Sequence, residues 1–310
     1  MTTIIDQRGG TRARGIRATV AAYPLLSFFI LACALSWLAW VPYILSSHGL
    51  GVWDLAFPEI LGSAQLSGVL RGALLGPLGG AFLVTAIADG RPGLRRWAGR
   101  LLRWRVGWRW YALALVGVPV LVLVSGLPFS GGVIQAPSLL ALAAVIPGLV
   151  IQLFTTGLSE EPGWRDFALP RLQERFGPLG AAAVLGPVWA VWHLPLFLSD
   201  WGGFPNAPWT QVVWFAGFCI TFNIVMAWVF NRTGESLPVA MLLHVGVNNT
   251  VSMLWTEIYP GIPADRMVLG LFILSTIGAA AIVVATRGRL GYAGPARLVD
   301  SGDGPRDGHR

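Results

Sequence analysis

Long apolar runs alternate with short polar stretches along the whole chain. A spanning helix needs about 20 mostly apolar residues, and eight runs meet that length: 23–46, 65–88, 109–128, 138–158, 179–198, 212–230, 236–255 and 267–286. The pattern predicts an all-α fold, a polytopic transmembrane helical bundle of about eight helices. One polar stretch, 89–108, has a period of its own. Leu94, Trp97, Leu101, Trp104 and Trp108 recur at helical spacing while Arg95, Arg96, Arg100 and Arg103 fall opposite, which predicts an interfacial amphipathic helix. Arginines interleaved with aromatics can also mark a nucleic-acid surface. Between two spanning runs a lipid surface fits better, so the expected partner is the lipid bilayer and no nucleic acid is expected.

Composition supports the membrane. The 310 residues are 55% hydrophobic and 12% charged, and a mean hydropathy of +0.63 leaves too few polar groups to cover a soluble surface. All 22 basic residues are arginine and the net charge is +7. The basic residues cluster in the N-terminal stretch (Arg8, Arg12, Arg14, Arg17), in 89–108, in the 159–178 stretch (Arg165, Arg171, Arg175) and at the C-terminus. The intervening stretches carry Asp54, Glu59 and Asp200 instead, with Arg266 interrupting the pattern. An excess of arginine on the cytoplasmic side then predicts a multi-pass protein of the cell membrane with both termini cytoplasmic. Cys33 and Cys219 lie in apolar runs and read as small core residues.

An ionisable group at the centre of a spanning helix costs about 2.5–3.5 kcal/mol, so each one calls for an explanation. Three sets stand out. In Ser159-Glu160-Glu161-Pro162-Gly163-Trp164-Arg165, two carboxylates meet a proline expected to break the helix, after which Glu161 can pair with Arg165 four residues on and leave Glu160 free as a base. In Trp189-Ala190-Val191-Trp192-His193, an aromatic ring lies one turn from an imidazole and can orient it. In His244-Val245-Gly246-Val247-Asn248, an imidazole and a carboxamide share one helix face. Each set alone has a bland reading: a solvated charge cluster, a satisfied core histidine, or polar glue between helices. Together, Glu160, His193, His244 and Asn248 supply a base, two nitrogen ligands or donors and an amide for an oxyanion, which make a hydrolytic site.

The three sets, in this order, resemble the motifs of the CPBP family of membrane proteases, which includes the Ras-converting CAAX endopeptidases and bacteriocin-processing relatives. EExxxR corresponds to Glu160 through Arg165, [FW]xxxH to Trp189 through His193, and HxxxN to His244 through Asn248. The resemblance is strong over about 136–256, and Gly76-Pro77-Leu78 and the stretch from Gly90 to Trp110 also look familiar. Asp166 departs from it, since many relatives carry glycine there. The resemblance implies an intramembrane endopeptidase that hydrolyses a peptide bond in a peptide or membrane-protein tail, with Glu160 activating a water held by His193 and His244, Asn248 steadying the oxyanion, and Glu161, Arg165 and Trp189 in support. Two histidines and a glutamate also form a zinc-type ligand set, Glu160, His193 and His244, with water as the fourth ligand. A zinc site and a metal-free site both stay open.

The expected organisation is an arginine-rich tail 1–22, N-terminal spans 23–135 with the basic stretch 89–108, a protease core 136–256, a last span 257–290 and a disordered tail 291–310. Two other classes compete. A transporter or proton or ion pathway would need inverted repeats, which the sequence does not show; a catalytically silent scaffold or immunity factor would have no need of all three motifs. One geometric difficulty attends the protease assignment. Counting places His193 about 21 Å along its helix at 1.5 Å per residue, deeper than Glu160 should lie, unless the segment from Trp164 to Phe176 itself dips into the bundle.

Overall fold

The computed structural model describes residues 8–294, and the predicted disordered tail falls outside these residues from position 295 onward. It is helical, with no strand among the described residues. Helix α1 spans Arg8–Ala22, α2 Pro24–Leu45, α3 Leu70–Ala88, α4 Gly90–Gly99, α5 Trp108–Phe129, α6 Leu139–Gln152, α7 Leu169–His193, α8 Trp209–Arg232, α9 Leu237–Thr250 and α10 Ala264–Thr286. Seven runs among the described residues are long and apolar enough to cross a membrane. Eight runs were expected; the difference lies in Leu139–Leu198, one 60-residue helical run that holds both the fourth and the fifth. Its direction changes at Gly177, where φ of +69° and ψ of 171° are open to glycine and strained for other residues. Leu139, Leu140, Ile146 and Val284 are largely exposed on the outer surface, as lipid-facing side chains are. The chain is a multi-pass membrane protein.

The first half of the stretch 159–178, expected to be a loop, is instead part of the core. Every residue from Ser159 through Leu169 is buried. The helix does not break at Pro162 either. Glu161 and Pro162 keep helical dihedrals (φ/ψ of −64°/−33° and −60°/−30°), and Pro162–Ala168 forms a widened π-helical turn. A proline inside a helix removes one donor and pushes its ring against a carbonyl one turn back, and a wider turn relieves both without interrupting the chain. Leu74–Leu78 repeats the device around Pro77.

These two widened turns pack on each other, and Gly163 makes the approach close enough. A Cβ at Gly163 would lie 2.6 Å from the Pro77 carbonyl oxygen. Gly163→Ala therefore forces two rigid backbones apart, and we expect a loss of about 1–3 kcal/mol of stability, read as a lowered melting temperature of the purified protein in detergent. An aromatic cluster surrounds the turn. Phe28 of α2 contacts Trp164 and Phe167 at 5.3 and 4.9 Å between ring centres, and Trp164 contacts Trp192 of α7 at 5.7 Å. The Trp192 indole donates to Ser36 Oγ at 2.7 Å, and Ser36 in turn donates to the Gly72 carbonyl at 2.7 Å. Thus α2, α3, α7 and the π-turn are locked by packing and by the Trp192 and Ser36 hydrogen bonds, while the Trp164 indole nitrogen is buried without a partner. Extensive packing of α7 on α8 and of α8 on α10 completes the far side.

The basic stretch is only partly the amphipathic helix expected. Helix α4 with one 3-10 turn, Arg100–Leu102, stops short of Trp104 and Trp108, which are exposed. Its inner face turns toward protein rather than lipid. The Trp97 indole donates to the Pro162 carbonyl at 2.9 Å, and Arg100 and Arg103 bond acidic groups of other elements.

Candidate active site

The site is assembled around one indole. Trp189 sits on α7, buried, and its Nε1–H donates to Glu160 Oε2 at 2.9 Å. One turn further on, His193 Nδ1 donates to the Trp189 carbonyl at 2.8 Å, and the two rings meet edge to face at 5.5 Å. On the opposite element, the His244 ring of α9 stands perpendicular to Trp189 at 5.3 Å. The guanidinium of Arg165 lies 5.4 Å from the centre of the same indole, at cation–π distance. One side chain therefore contacts the carboxylate, both imidazoles and the buried cation. Glu160, in the helical turn that leads into the buried π-turn, shares the Trp189 side chain with His193.

Glu161 has a second partner that sequence spacing did not suggest. Its Oε1 lies 2.8 Å from His244 Nδ1 and its Oε2 lies 3.3 Å from Arg165 Nε. The contact with Arg165 is an ion pair without aligned hydrogen bonds, since none of the Arg165 nitrogens has a hydrogen-bond partner. Both residues are 0% exposed. A charge buried to this degree is tolerated only because its counter-ion is buried beside it.

The tautomer of His193 follows from its partner. A carbonyl can only accept, so Nδ1 carries the hydrogen and Nε2 presents its lone pair. In His244 the carboxylate of Glu161 likewise takes the Nδ1 hydrogen. Neither Nε2 atom is bonded to another described residue, and neither is Glu160 Oε1. These atoms are the groups left with chemistry to do. Around His193, Trp192, Phe215 and Trp201 close a box at 4.6, 5.0 and 5.5 Å, the last ring stacked within 17°. Trp201 and Phe215 lie outside all three motifs, and nothing in their spacing points to His193.

Asn248 lies one turn beyond His244 and is half-buried. It forms no hydrogen bond with Glu160, His193 or His244, so its carboxamide is left for another partner. The neighbouring Asn249 is tied down by α6, donating to the Val145 carbonyl at 3.0 Å and accepting from Gln152 at 3.4 Å.

The donor types of Glu160, His193 and His244 suit zinc. Among the described residues, no three His, Cys, Asp or Glu side chains stand together as a preformed metal-holding group.

Comparison with known proteins covers the segment that carries this cluster. Residues 142–250 match the family model described as Type II CAAX prenyl endopeptidase Rce1-like, a segment that contains Glu160 through Arg165, Trp189, His193, His244 and Asn248. A protein named CAAX prenyl protease 2 from Methanococcus maripaludis is 23% identical over 177 residues. That similarity covers 55% of this chain and 63% of the relative, so the chain spans less than two thirds of the relative's length.

Proposed function

We propose that this chain, whose 142–250 core matches the Rce1-like CAAX endopeptidase family model, is a membrane-embedded endopeptidase cleaving a peptide or membrane-protein tail. The observation that carries the proposal is the shared contact of Glu160, His193 and His244 with Trp189, with each imidazole held at Nδ1 and unbonded to protein at Nε2. In the proposed reaction a water lies between the Glu160 carboxylate and the His193 lone pair. Glu160 takes one proton as the water oxygen bonds to the peptide carbonyl carbon. His244, as an imidazolium whose Nδ1–H is held by Glu161, donates from Nε2, and the Asn248 carboxamide donates an N–H, to the oxyanion that develops. The carbon–nitrogen bond then breaks, and Glu160 returns its proton to the leaving amine. Arg165 holds Glu161 in place, and Trp189 holds Glu160.

Each step is assigned to the protein's own groups. Turnover is accordingly expected to survive a strong chelator. Loss of activity that added zinc restores would transfer water activation to a bound ion held by the same three side chains. The arginine distribution supports both termini, α1 and α4 on the cytoplasmic side of a cell membrane. The functional test uses purified protein in detergent or bilayer with membrane-anchored peptides of varied tail sequence, products being identified by mass. New carboxyl termini at one preferred bond are expected, and an intact peptide set would refute the proposal.

A further inference from the structure

One charged group outside the three motifs bridges the elements that carry the site. Arg100, just past α4, donates from Nη1 to Asp166 Oδ1 at 2.6 Å and from Nε to Glu235 Oε2 at 2.8 Å. Asp166 belongs to the π-turn that follows Glu160 and Glu161, and it is 1% exposed with its second oxygen unpartnered. Glu235 belongs to the turn between α8 and α9. It immediately precedes Ser236, whose hydroxyl caps α9 by accepting from the Val239 N–H. His244 follows two turns along that helix.

The turn at Glu235 is held under strain. Its φ of +62° is in the left-handed region, unfavourable for a residue with a Cβ unless the surroundings enforce it. Here Arg103 adds a second hydrogen bond to Glu235 at 3.0 Å and another to the Gly234 carbonyl at 2.9 Å, and Ser236 Oγ donates to the Arg103 carbonyl. From the other side, Trp97 bonds the Pro162 carbonyl, next in the chain to Glu161. Burial works against the charge of Arg100, but Asp166 and Glu235 more than offset it, so its hold on the proton is raised and it stays a cation.

We propose that Arg100 is a positioning residue for the cleavage reaction. By bonding Asp166 and Glu235 together it fixes the π-turn against the start of α9, and so sets the contact between Glu161 and His244. That contact joins residues 83 positions apart in the chain, one just before the π-turn and one on α9. The inference rests on the protease reading above.

The test compares wild type, Glu160→Gln, Arg100→Gln, Arg100→Lys and Glu235→Gln on one membrane-anchored peptide, with kcat, KM and melting temperature measured for each. Arg100→Gln is expected to lower kcat by roughly tenfold to a hundredfold, the loss that a misplacement of about 1 Å can cause, with KM little changed. Arg100→Lys, which keeps the charge and reaches one carboxylate, is expected to recover part of that loss. Glu235→Gln, which loosens the far end and leaves Asp166 paired, is expected to lower kcat less and to keep the wild-type melting temperature. Wild-type kcat in Arg100→Lys and Glu235→Gln, or losses confined to KM or to the folded fraction, would overturn the inference alone, provided wild type cleaves and Glu160→Gln does not. If wild type cleaves nothing, the protease reading fails first and the inference with it.

Discussion

Glu160→Gln is expected to reduce peptide cleavage by about a hundredfold to ten-thousandfold, the contribution of a positioned general base, while the protein folds and melts as the wild type does. The substitution is close to isosteric, and the new amide oxygen can still accept the Trp189 indole hydrogen at the place where Oε2 now stands 2.9 Å away. What it removes is the ability to take a proton from water. A purely structural role for Glu160 predicts the reverse pattern, with activity retained in proportion to folded protein. Turnover of a membrane-anchored peptide and thermal melting on the same preparation separate the two.

The second large effect concerns stability and comes from Glu161 and Arg165. Glu161→Gln keeps a hydrogen-bonding partner for His244 but removes the carboxylate that faces Arg165, a side chain 0% exposed with no hydrogen-bonded nitrogen. Leaving one partner of a buried ion pair uncompensated costs about 3–5 kcal/mol, whereas replacing both with apolar groups of similar volume is often neutral. Glu161→Gln and Arg165→Met are each expected to be strongly destabilised, and the double substitution Glu161→Leu with Arg165→Met to recover most of the loss. Activity should not recover, because His244 then has no acceptor at Nδ1. Melting curves for the two single variants and the double variant decide it: additive losses would mean that the pair is not coupled.

The sequence made some of this legible and hid the rest for identifiable reasons. Four-residue spacing puts Trp189 and His193, and His244 and Asn248, on shared helix faces, and this spacing could be read directly because a helix fixes it. The stretch from Ser159 to Arg175 was misleading. Its density of Glu160, Glu161, Arg165, Asp166, Arg171 and Arg175 has the composition of a solvated loop, yet its first half is buried. The charges are tolerated there because Glu161, His244 and Arg165 offset one another and because Asp166 meets Arg100. No local rule couples Glu161 to His244, or Arg100 to Asp166 and Glu235, since these contacts exist only once the bundle has formed. In 89–108 the periodicity placed Trp97 on the apolar, lipid-facing side and Arg100 opposite it, whereas both turn toward protein, Trp97 to the Pro162 carbonyl and Arg100 to Asp166 and Glu235. A side chain that finds two carboxylates gains more by turning toward them than by staying at the surface. The eight expected spans became seven runs because Pro162 widens the helix rather than ending it.

The central claim is that a water activated at Glu160 attacks the peptide carbonyl directly. A single turnover in heavy-oxygen water, followed by mass analysis of both the product and the protein, tests it most directly. The account predicts one heavy oxygen in the newly formed carboxyl terminus and none in the protein. An unlabelled product terminus, or label recovered in the Glu160 carboxylate, would contradict it.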